Sequence, residues 1–293
     1  MTRIDTVGVL GCGQMGSGIA QVAAMGGCRV LARDMDEGLL ARGRRAIESS
    51  LARFVDKGKL DASARDAALG RITFTTRLED LGGAQLVIEA VTEDLELKNG
   101  LWKSLDALCP PEAFFASNTS SLSIMAMATV TRRPDRFIGL HFFNPVPMML
   151  LVEVVRTVAS SPDVLSSATE FVRRIGKEPI AAKDSAGFIV NRLLIPYLLD
   201  AIRAVETGVA TTEDIDLGMK LGCGYPMGPL TLLDFVGLDT TCRVAEIMFD
   251  EFREARYAPP PLLRRMVLAG WLGKKSGKGF YDWSVTPPVA SAL

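Results

Sequence analysis

The chain has 293 residues, enough for about two domains of ~100–200 residues. Hydrophobic residues make up 48% and charged residues 23%, a composition that excludes disorder as the dominant state. Lys plus Arg number 33 against 34 Asp plus Glu, a net charge of -1, so no global field draws the protein to nucleic acid or to an anionic membrane.

Ile4 to Leu10 is short, β-rich and ends in glycines. Gly16 to Met25 follows as a helix with Ile19, Val22 and Ala23 on one face, and Arg29 to Ala32 as the next strand. This opening is a βαβ unit. Asp36 to Lys59 is long, charged and helical in pattern, and Asp61 to Leu69 reads as a second, short helix. The two are expected to form a helical hairpin inserted into the sheet domain. Leu86 to Ala90, Phe114 to Ala116 and Phe137 to Phe143 are further strands, with helices at Leu95 to Leu108 and Leu122 to Ala128 between them. Strands alternating with helices predict an α/β fold with a parallel, doubly wound sheet.

Leu150 to Val155 follows the proline-rich turn Asn144-Pro145-Val146-Pro147 and reads as a strand. Ser161 to Ile175 reads as helix, Pro179-Ile180 as a last short strand, and Lys183 to Gly187 as a linker. Beyond it, Phe188 to Glu206, Thr212 to Leu221, Leu230 to Phe252 and Leu262 to Leu268 favour helix, and strand signals are scarce. The expected organisation is a sheet domain at 1–184 and an all-helical domain at 185–293, with a loose tail after Trp283. No solenoid repeat or low-complexity tract interrupts it.

The 5 cysteines, Cys12, Cys28, Cys109, Cys223 and Cys242, are odd in number and include no CxxC pair. That argues against a disulfide scaffold or a cysteine zinc site and for a reducing compartment. A single histidine, His141, excludes a metal site built on two imidazoles, and no metal is expected. No apolar run approaches the ~18 residues of a membrane span. Val9-Leu10-Gly11-Cys12 has the form of a lipoprotein cleavage box, yet the apolar stretch before it is too short for an h-region of about 7–15 residues. A cytoplasmic location is expected.

Gly11-Cys12-Gly13-Gln14-Met15-Gly16 is a GxGxxG run. Alone it is weak, but it follows a strand and opens a helix, where dinucleotide binding requires it. Gly11 permits the tight turn, Gly13 lets the backbone approach a pyrophosphate, and Gly16 allows close helix–strand packing. The pyrophosphate sits on the helix N-terminus, where unpaired N–H groups and the helix dipole favour an anion. Asp34 stands 18 residues after Gly16, near the ~20 expected of an acid that binds ribose hydroxyls. Its carboxylate favours NAD, while Arg33 just before it keeps NADP open.

His141 closes the strand that begins at Phe137, and Glu153 lies in the following one. Each is six residues from Pro147, so a hairpin centred there sets them face to face, about 5 Å apart at Cβ. A carboxylate on one ring nitrogen fixes the tautomer and strengthens the imidazole as a base, leaving the other nitrogen to move a proton. A satisfied polar histidine beside a turn is the competing reading.

Several longer motifs occur in order: Gly11 to Ala20 (GCGQMGSGIA), Ser117-Asn118-Thr119-Ser120-Ser121-Leu122 and His141-Phe142-Phe143-Asn144-Pro145-Val146-Pro147. Gly187-Phe188-Ile189-Val190-Asn191-Arg192, Pro226-Met227-Gly228-Pro229 and Gly277-Lys278-Gly279-Phe280-Tyr281 follow. On these motifs, spread from about residue 4 to residue 283, the chain resembles the L-3-hydroxyacyl-CoA dehydrogenase family, and its 3-hydroxybutyryl-CoA branch most. The resemblance implies a Rossmann-type NAD-binding domain, a helical domain that dimerises, and an acyl-CoA substrate between the two. It implies hydride exchange between a (3S)-3-hydroxyacyl-CoA and a 3-ketoacyl-CoA, within fatty-acid or butanoate metabolism.

Carried over residue by residue, His141 matches the family's general acid/base and Glu153 its orienting partner. Ser120 matches a residue that hydrogen-bonds the reacting oxygen, and Asn191 one that reaches the substrate from the helical domain. Gln14, Met15, Ala90, Glu93, Lys98, Asn118, Ser120, Asn144 and Lys275 match cofactor contacts, besides the three glycines and Asp34. Ser50 and Lys57, on the helical hairpin, match coenzyme A contacts. Blander roles compete at several positions: Ser120 as the cap of a helix near Leu122, Asn191 as a locally satisfied amide, Lys57 on a solvated face, and Lys98 paired with Asp94. Met148 to Leu151 is wholly apolar, where some relatives carry a lysine. Phe142 and Phe143 argue against a related sugar-acid branch, which lacks that pair. A cofactor-binding protein without chemistry is the alternative from another class.

Overall fold

A computed structural model describes residues 3–292 of the chain, which fold into two units divided between Ser185 and Ala186. The first unit runs β1 (Thr6–Leu10), α1 (Gln14–Met25), β2 (Arg29–Arg33), α2 (Glu37–Asp56), α3 (Ala62–Gly70), β3 (Ile72–Thr75) and β4 (Leu86–Glu89). It continues with α4 (Leu95–Leu108), β5 (Phe114–Ser117), α5 (Ile124–Ala128), β6 (Phe137–Phe142), β7 (Leu151–Arg156), α6 (Pro162–Arg174) and β8 (Glu178–Lys183). One sheet results, in the order β3-β2-β1-β4-β5-β6-β7-β8. Every neighbouring pair is parallel except β6 and β7.

The central strands are apolar along their length, as a sheet covered on both faces demands. Val7, Val9, Leu10, Leu86, Val87 and Ile88 are all fully buried. Three crossover helices start on an aspartate: Asp36, Asp61 and Asp94 accept hydrogen bonds from the amides of Leu39, Ala64 and Leu97, caps worth about 1 kcal/mol each. Asp94 is therefore occupied as a cap and is not the partner of Lys98. The predicted helical hairpin is α2 and α3, and it serves as the crossover from β2 to β3. The sequence pattern passes over β3, whose four residues alternate Ile72 and Phe74 with threonines, too short a run beside a long helix. It also shortens β8, an edge strand with the charged ends Glu178 and Lys183.

Beneath β5 and β6 an aromatic cluster forms the floor. Trp102 of α4 lies edge-on to Phe137, with ring centroids 4.8 Å apart, and 5.1 Å from Phe115. Arg133 is stacked over Phe115 at 4.9 Å, and its guanidinium donates to Asp106 Oδ1 at 2.7 Å and to the carbonyls of Asp106, Cys109 and Ala113. One buried cation thus ties together the end of α4, the approach to β5 and the approach to β6.

The second unit comprises α7 (Val190–Glu206), α8 (Thr212–Cys223), α9 (Pro229–Val236), α10 (Leu238–Phe252) and α11 (Pro261–Leu268). They surround a core that includes Leu198, Leu199, Leu230, Leu233, Met248 and Phe280. The single helix expected from Leu230 to Phe252 is broken at Gly237, whose φ of 101° is open to glycine and not to residues with a Cβ. The end of the chain is pinned rather than loose. Asp234 accepts the amides of Phe280 and Tyr281 and the indole N–H of Trp283, and β9 (Tyr281–Asp282) pairs with β10 (Val289–Ala290). The unit is thus helical apart from this short ladder. Among the described residues no helix is long and apolar enough to cross a membrane. The cysteines are free, with Cys12, Cys28, Cys109 and Cys242 buried and Cys223 exposed.

Asp106 offers a test of the floor. Burial pushes its carboxyl up, but hydrogen bonds from the Arg132 amide and from the Arg132 and Arg133 side chains outweigh burial and leave it below the ordinary carboxylate range. A depressed native pKa gives stability that is present above the unfolded value of ~3.9 and lost as pH falls through the folded value. Asp106→Asn, which strands Arg133, is expected to cost about 3–5 kcal/mol at pH 7. In urea unfolding, the gap between variant and wild type should close as pH falls below ~4. A gap independent of pH would refute the assignment.

Candidate functional site

The site begins where β1 meets α1. Gly11 has φ 96°, and a Cβ there would lie 2.7 Å from the carbonyl oxygen of Ala90. At Gly16 a Cβ would lie 1.8 Å from the Gly11 carbonyl oxygen, so only glycine lets the helix start this close to the strand. Gly13 differs: nothing lies within 4 Å of the point its Cβ would occupy. Gly13 is also the N-cap of α1 and supplies no side-chain cap, so the first-turn amides of α1, those of Gln14 and Met15 included, face open space. A tight turn, an open middle glycine and uncapped amides fit a pyrophosphate. Helix α2 seals the loop from behind, since a Cβ on Gly43 would meet the Cys12 carbonyl oxygen at 2.8 Å. Burial, then the charge of Asp34, pushes the Cys12 thiol up to about 12.

Asp34 follows directly on β2. Its Oδ2 accepts the Cys12 amide at 2.6 Å and its Oδ1 the Met35 amide at 2.7 Å, which clamps the carboxylate against the glycine loop. Each oxygen keeps acceptor capacity for a hydroxyl. The neighbouring Arg33 turns away, with its Nε donating to the Thr76 carbonyl at 3.2 Å. Ala90 donates its amide to the Leu10 carbonyl at 2.8 Å, which sets the end of β4 beside the loop.

Sequence reasoning missed a buried charge network at the next two strand ends. Glu89 is fully buried. It accepts the Lys98 ammonium at 2.5 Å, the Val91 amide at 2.7 Å and the Ser117 hydroxyl at 2.7 Å. Lys98 also lies 3.1 Å from Glu93, which in turn accepts the hydroxyls of Thr119 and Ser121. The signal was present: an acid closing an otherwise apolar strand, with a lysine on the next helix. Lys98 is itself 1% exposed, so it faces no solvent and instead holds the partly exposed Glu93 in place. Asn118 crosses to β6, with its Oδ1 accepting the Phe142 amide at 2.9 Å. Ser120 is half-buried beside it. Ser120 caps no helix, because Ser123 takes that position on α5.

His141 and Glu153 occupy directly opposed positions in the β6–β7 ladder. The imidazole Nδ1 lies 2.6 Å from Glu153 Oε2, with the side chains 8% and 0% exposed. A carboxylate has only acceptors, so Nδ1 carries the proton of this bond, and Nε2 is the ring nitrogen not engaged by Glu153. Phe143 packs on the imidazole, with ring centroids 4.5 Å apart, and Asn144 is exposed just beyond it. The geometry can therefore hold a neutral imidazole in one tautomer and stabilise its protonated form.

Hydrogen bonds tie the glycine loop to Asp34, Ala90 to the end of β1, Asn118 to the end of β6, and His141 to Glu153, and an ion pair ties Glu93 and Lys98 to each other. Ser50, half-buried on α2, and Lys57, exposed at its C-cap, lie outside this bonded set. In the second unit, Asn191 is in the first turn of α7 and half-buried. Lys275 pairs with Asp239 at 2.6 Å.

Comparison with known proteins gives two matching family descriptions. Residues 6–185 match the NAD binding domain of 3-hydroxyacyl-CoA dehydrogenase, and residues 187–283 match its C-terminal domain. The chain is 52% identical over 282 residues to a 3-hydroxybutyryl-CoA dehydrogenase of Mycobacterium tuberculosis, covering 96% of this chain and 99% of that protein. It is 46% identical over 287 residues to the human mitochondrial hydroxyacyl-coenzyme A dehydrogenase, covering 96% and 91%. The crystal structure of a (S)-3-hydroxybutyryl-CoA dehydrogenase from Ralstonia eutropha superposes with a TM-score of 0.93 at 44% identity, covering 96% and 100%.

The glycine geometry separates folding from binding. Gly16→Ala drives a methyl into backbone and is expected to destabilise by about 1–3 kcal/mol or more. Gly13→Ala meets open space and should cost under about 1 kcal/mol, while its methyl stands where a pyrophosphate approaches and weakens NADH binding at least about tenfold. Thermal melts and NADH fluorescence titrations check both. Unchanged NADH affinity in Gly13→Ala would remove the loop from cofactor binding.

Proposed function

The chain belongs to the 3-hydroxyacyl-CoA dehydrogenase family, and we propose that it interconverts (3S)-3-hydroxybutyryl-CoA and acetoacetyl-CoA. It is an oxidoreductase that uses a nicotinamide cofactor to oxidise a 3-hydroxyacyl-CoA. The observation that carries the reading is the His141 Nδ1–Glu153 Oε2 bond of 2.6 Å, set in the same sheet as a glycine loop open at Gly13. The short acyl group follows the names of the relatives above. NAD is favoured over NADP, because Asp34 repels a 2′-phosphate and Arg33 is engaged by Thr76.

A nicotinamide bound at the glycine loop and Asp34 would supply the hydride chemistry at C3. In the oxidation direction, Nε2 of His141 accepts the proton of the 3-hydroxyl. Glu153 holds the ring in the tautomer that allows this and stabilises the imidazolium that results. In the reverse direction the same nitrogen returns the proton to the carbonyl oxygen. On the family resemblance, Ser120 would hydrogen-bond that oxygen and Asn191 would contact the substrate. Glu93, Asn118, Asn144 and Lys275 would contact the cofactor, Lys98 would act only by holding Glu93, and Ser50 and Lys57 would contact coenzyme A. Dimerisation through the helical unit is supported by Leu193, Val209, Leu217 and Leu221, which are 69%, 74%, 51% and 77% exposed in the single chain.

Loss of NADH absorbance with acetoacetyl-CoA tests the reading, with NADPH run in parallel. Wild type should turn over with NADH preferred. His141→Ala should lose ~10²–10⁴ in kcat with NADH affinity unchanged. Glu153→Gln should lose a factor in the same range, because an amide can present a donor to Nδ1 and select the wrong tautomer. Full turnover in His141→Ala would end the proposed mechanism, and a preference for NADPH would move cofactor selection from Asp34 to Arg33.

A further inference from the structure

Lys177 lies in the turn between α6 and β8 and is 4% exposed. Its ammonium donates to the Val146 carbonyl at 2.6 Å and to the Met149 carbonyl at 2.7 Å. Among the described residues it pairs with no carboxylate. Burial pulls the amine below the ordinary lysine range. A buried ammonium answered only by carbonyls is a costly way to fill space, so its contribution is the geometry it imposes on those two carbonyls.

Both carbonyls belong to the turn that joins β6 to β7. The adjoining Glu178 amide donates to the Leu150 carbonyl at 2.8 Å, so the turn is held at three points from one side. From the other side it is pressed against α1, the helix of the glycine loop. A Cβ on Gly18 would come within 2.7 Å of Val146 Cβ, and Val146 is 2% exposed. The clamped turn starts at Asn144, three residues past His141.

We propose that Lys177 is a positioning residue: it fixes the 144–150 turn against α1 and so sets the distance between the cofactor helix and His141. This rests on the dehydrogenase reading above. Lys177 touches neither reactant. It acts through Val146 and Met149 on Asn144 and on the end of β6.

The test compares wild type, Lys177→Met, Lys177→Arg and Gly18→Ala by acetoacetyl-CoA reduction, NADH fluorescence titration and thermal melting. Kinetics are read well below each midpoint. Lys177→Met should lose about 10–100-fold in kcat, the loss expected from a displacement near 1 Å, and bind NADH several-fold more weakly. Its KM for acetoacetyl-CoA should stay within about twofold, because uniform substrate binding is untouched. Lys177→Arg, which keeps a charged donor, should recover part of both losses. Gly18→Ala pushes Val146 from the opposite side with Lys177 intact and should reproduce the NADH and kcat losses. A folded Lys177→Met with wild-type kcat and NADH affinity, whatever its melting point, overturns the proposal. If Lys177→Met does not fold, Gly18→Ala decides by the same two readouts. Failure of both to fold makes the clamp a requirement of folding alone and also overturns it. Wild type inactive on acetoacetyl-CoA would instead strike the dehydrogenase reading, and NADH affinity still reports on the clamp.

Discussion

The reversal of chain direction between β6 and β7 is the constraint on which the site depends. Every other pairing in the sheet is parallel and needs a long crossover to make it. A parallel neighbour would have reached Glu153 through an intervening helix, with register set by distant packing. A hairpin sets it locally, so residues 12 apart in sequence face each other with side chains on the same face of the sheet. The pairing also buries Glu153 between β6 and β8, where a polar group needs hydrogen-bond partners. His141 supplies one of them. The geometry proposed for proton transfer and the satisfaction of a buried polar group are one arrangement.

Three charged groups of the first unit stand at the ends of otherwise apolar strands. Asp34, Glu89 with Lys98, and the His141–Glu153 pair stand at or near the ends of β2, β4 and β6, while the strands beneath them are apolar. Parallel strands bring their carboxyl ends to one edge, and the crossover helices bring their N-termini to the same edge. The fold thereby supplies donors and fields for anions and developing charge before any ligand arrives. Glu89 illustrates how such an edge is stabilised: an ammonium, a hydroxyl and an amide all reach it, so full burial leaves no lone charge.

Local features of this architecture were legible in the sequence. The GxGxxG run, Asp34 and the symmetric spacing of His141 and Glu153 about Pro147 depend on short stretches of chain, where spacing translates directly into geometry. Aspartates at 36, 61 and 94 mark helix starts for the same reason. What stayed hidden depends on distant partners. Strand β3 exists because β2 offers it an edge to pair with, not because four residues dictate a strand. The tail after Trp283 looks loose in composition, yet Val289 and Ala290 pair with Asp282 and Tyr281, a segment that Asp234 holds in place from 46 to 49 residues earlier. Lys177 carries no sequence signal of its own, because its partners lie in the β6–β7 turn about 30 residues earlier. Gly237 was readable as a helix breaker, but apolar residues on both sides of it masked the break.

The burial of the cysteines has a practical corollary. Burial drives the Cys12 thiol to about 12 and those of Cys109 and Cys242 to about 11, which leaves almost no thiolate at neutral pH, and Cys28 is shifted upward as well. Thiolate is the form that alkylating reagents consume. Among the described residues Cys223, at the end of α8, is the one exposed thiol. In the single chain a maleimide dye therefore attaches at one point, without mutagenesis and without touching the glycine loop, and shielding of that point would report association through α8. That gives each chain one optical reporter for following the helical unit by anisotropy or energy transfer.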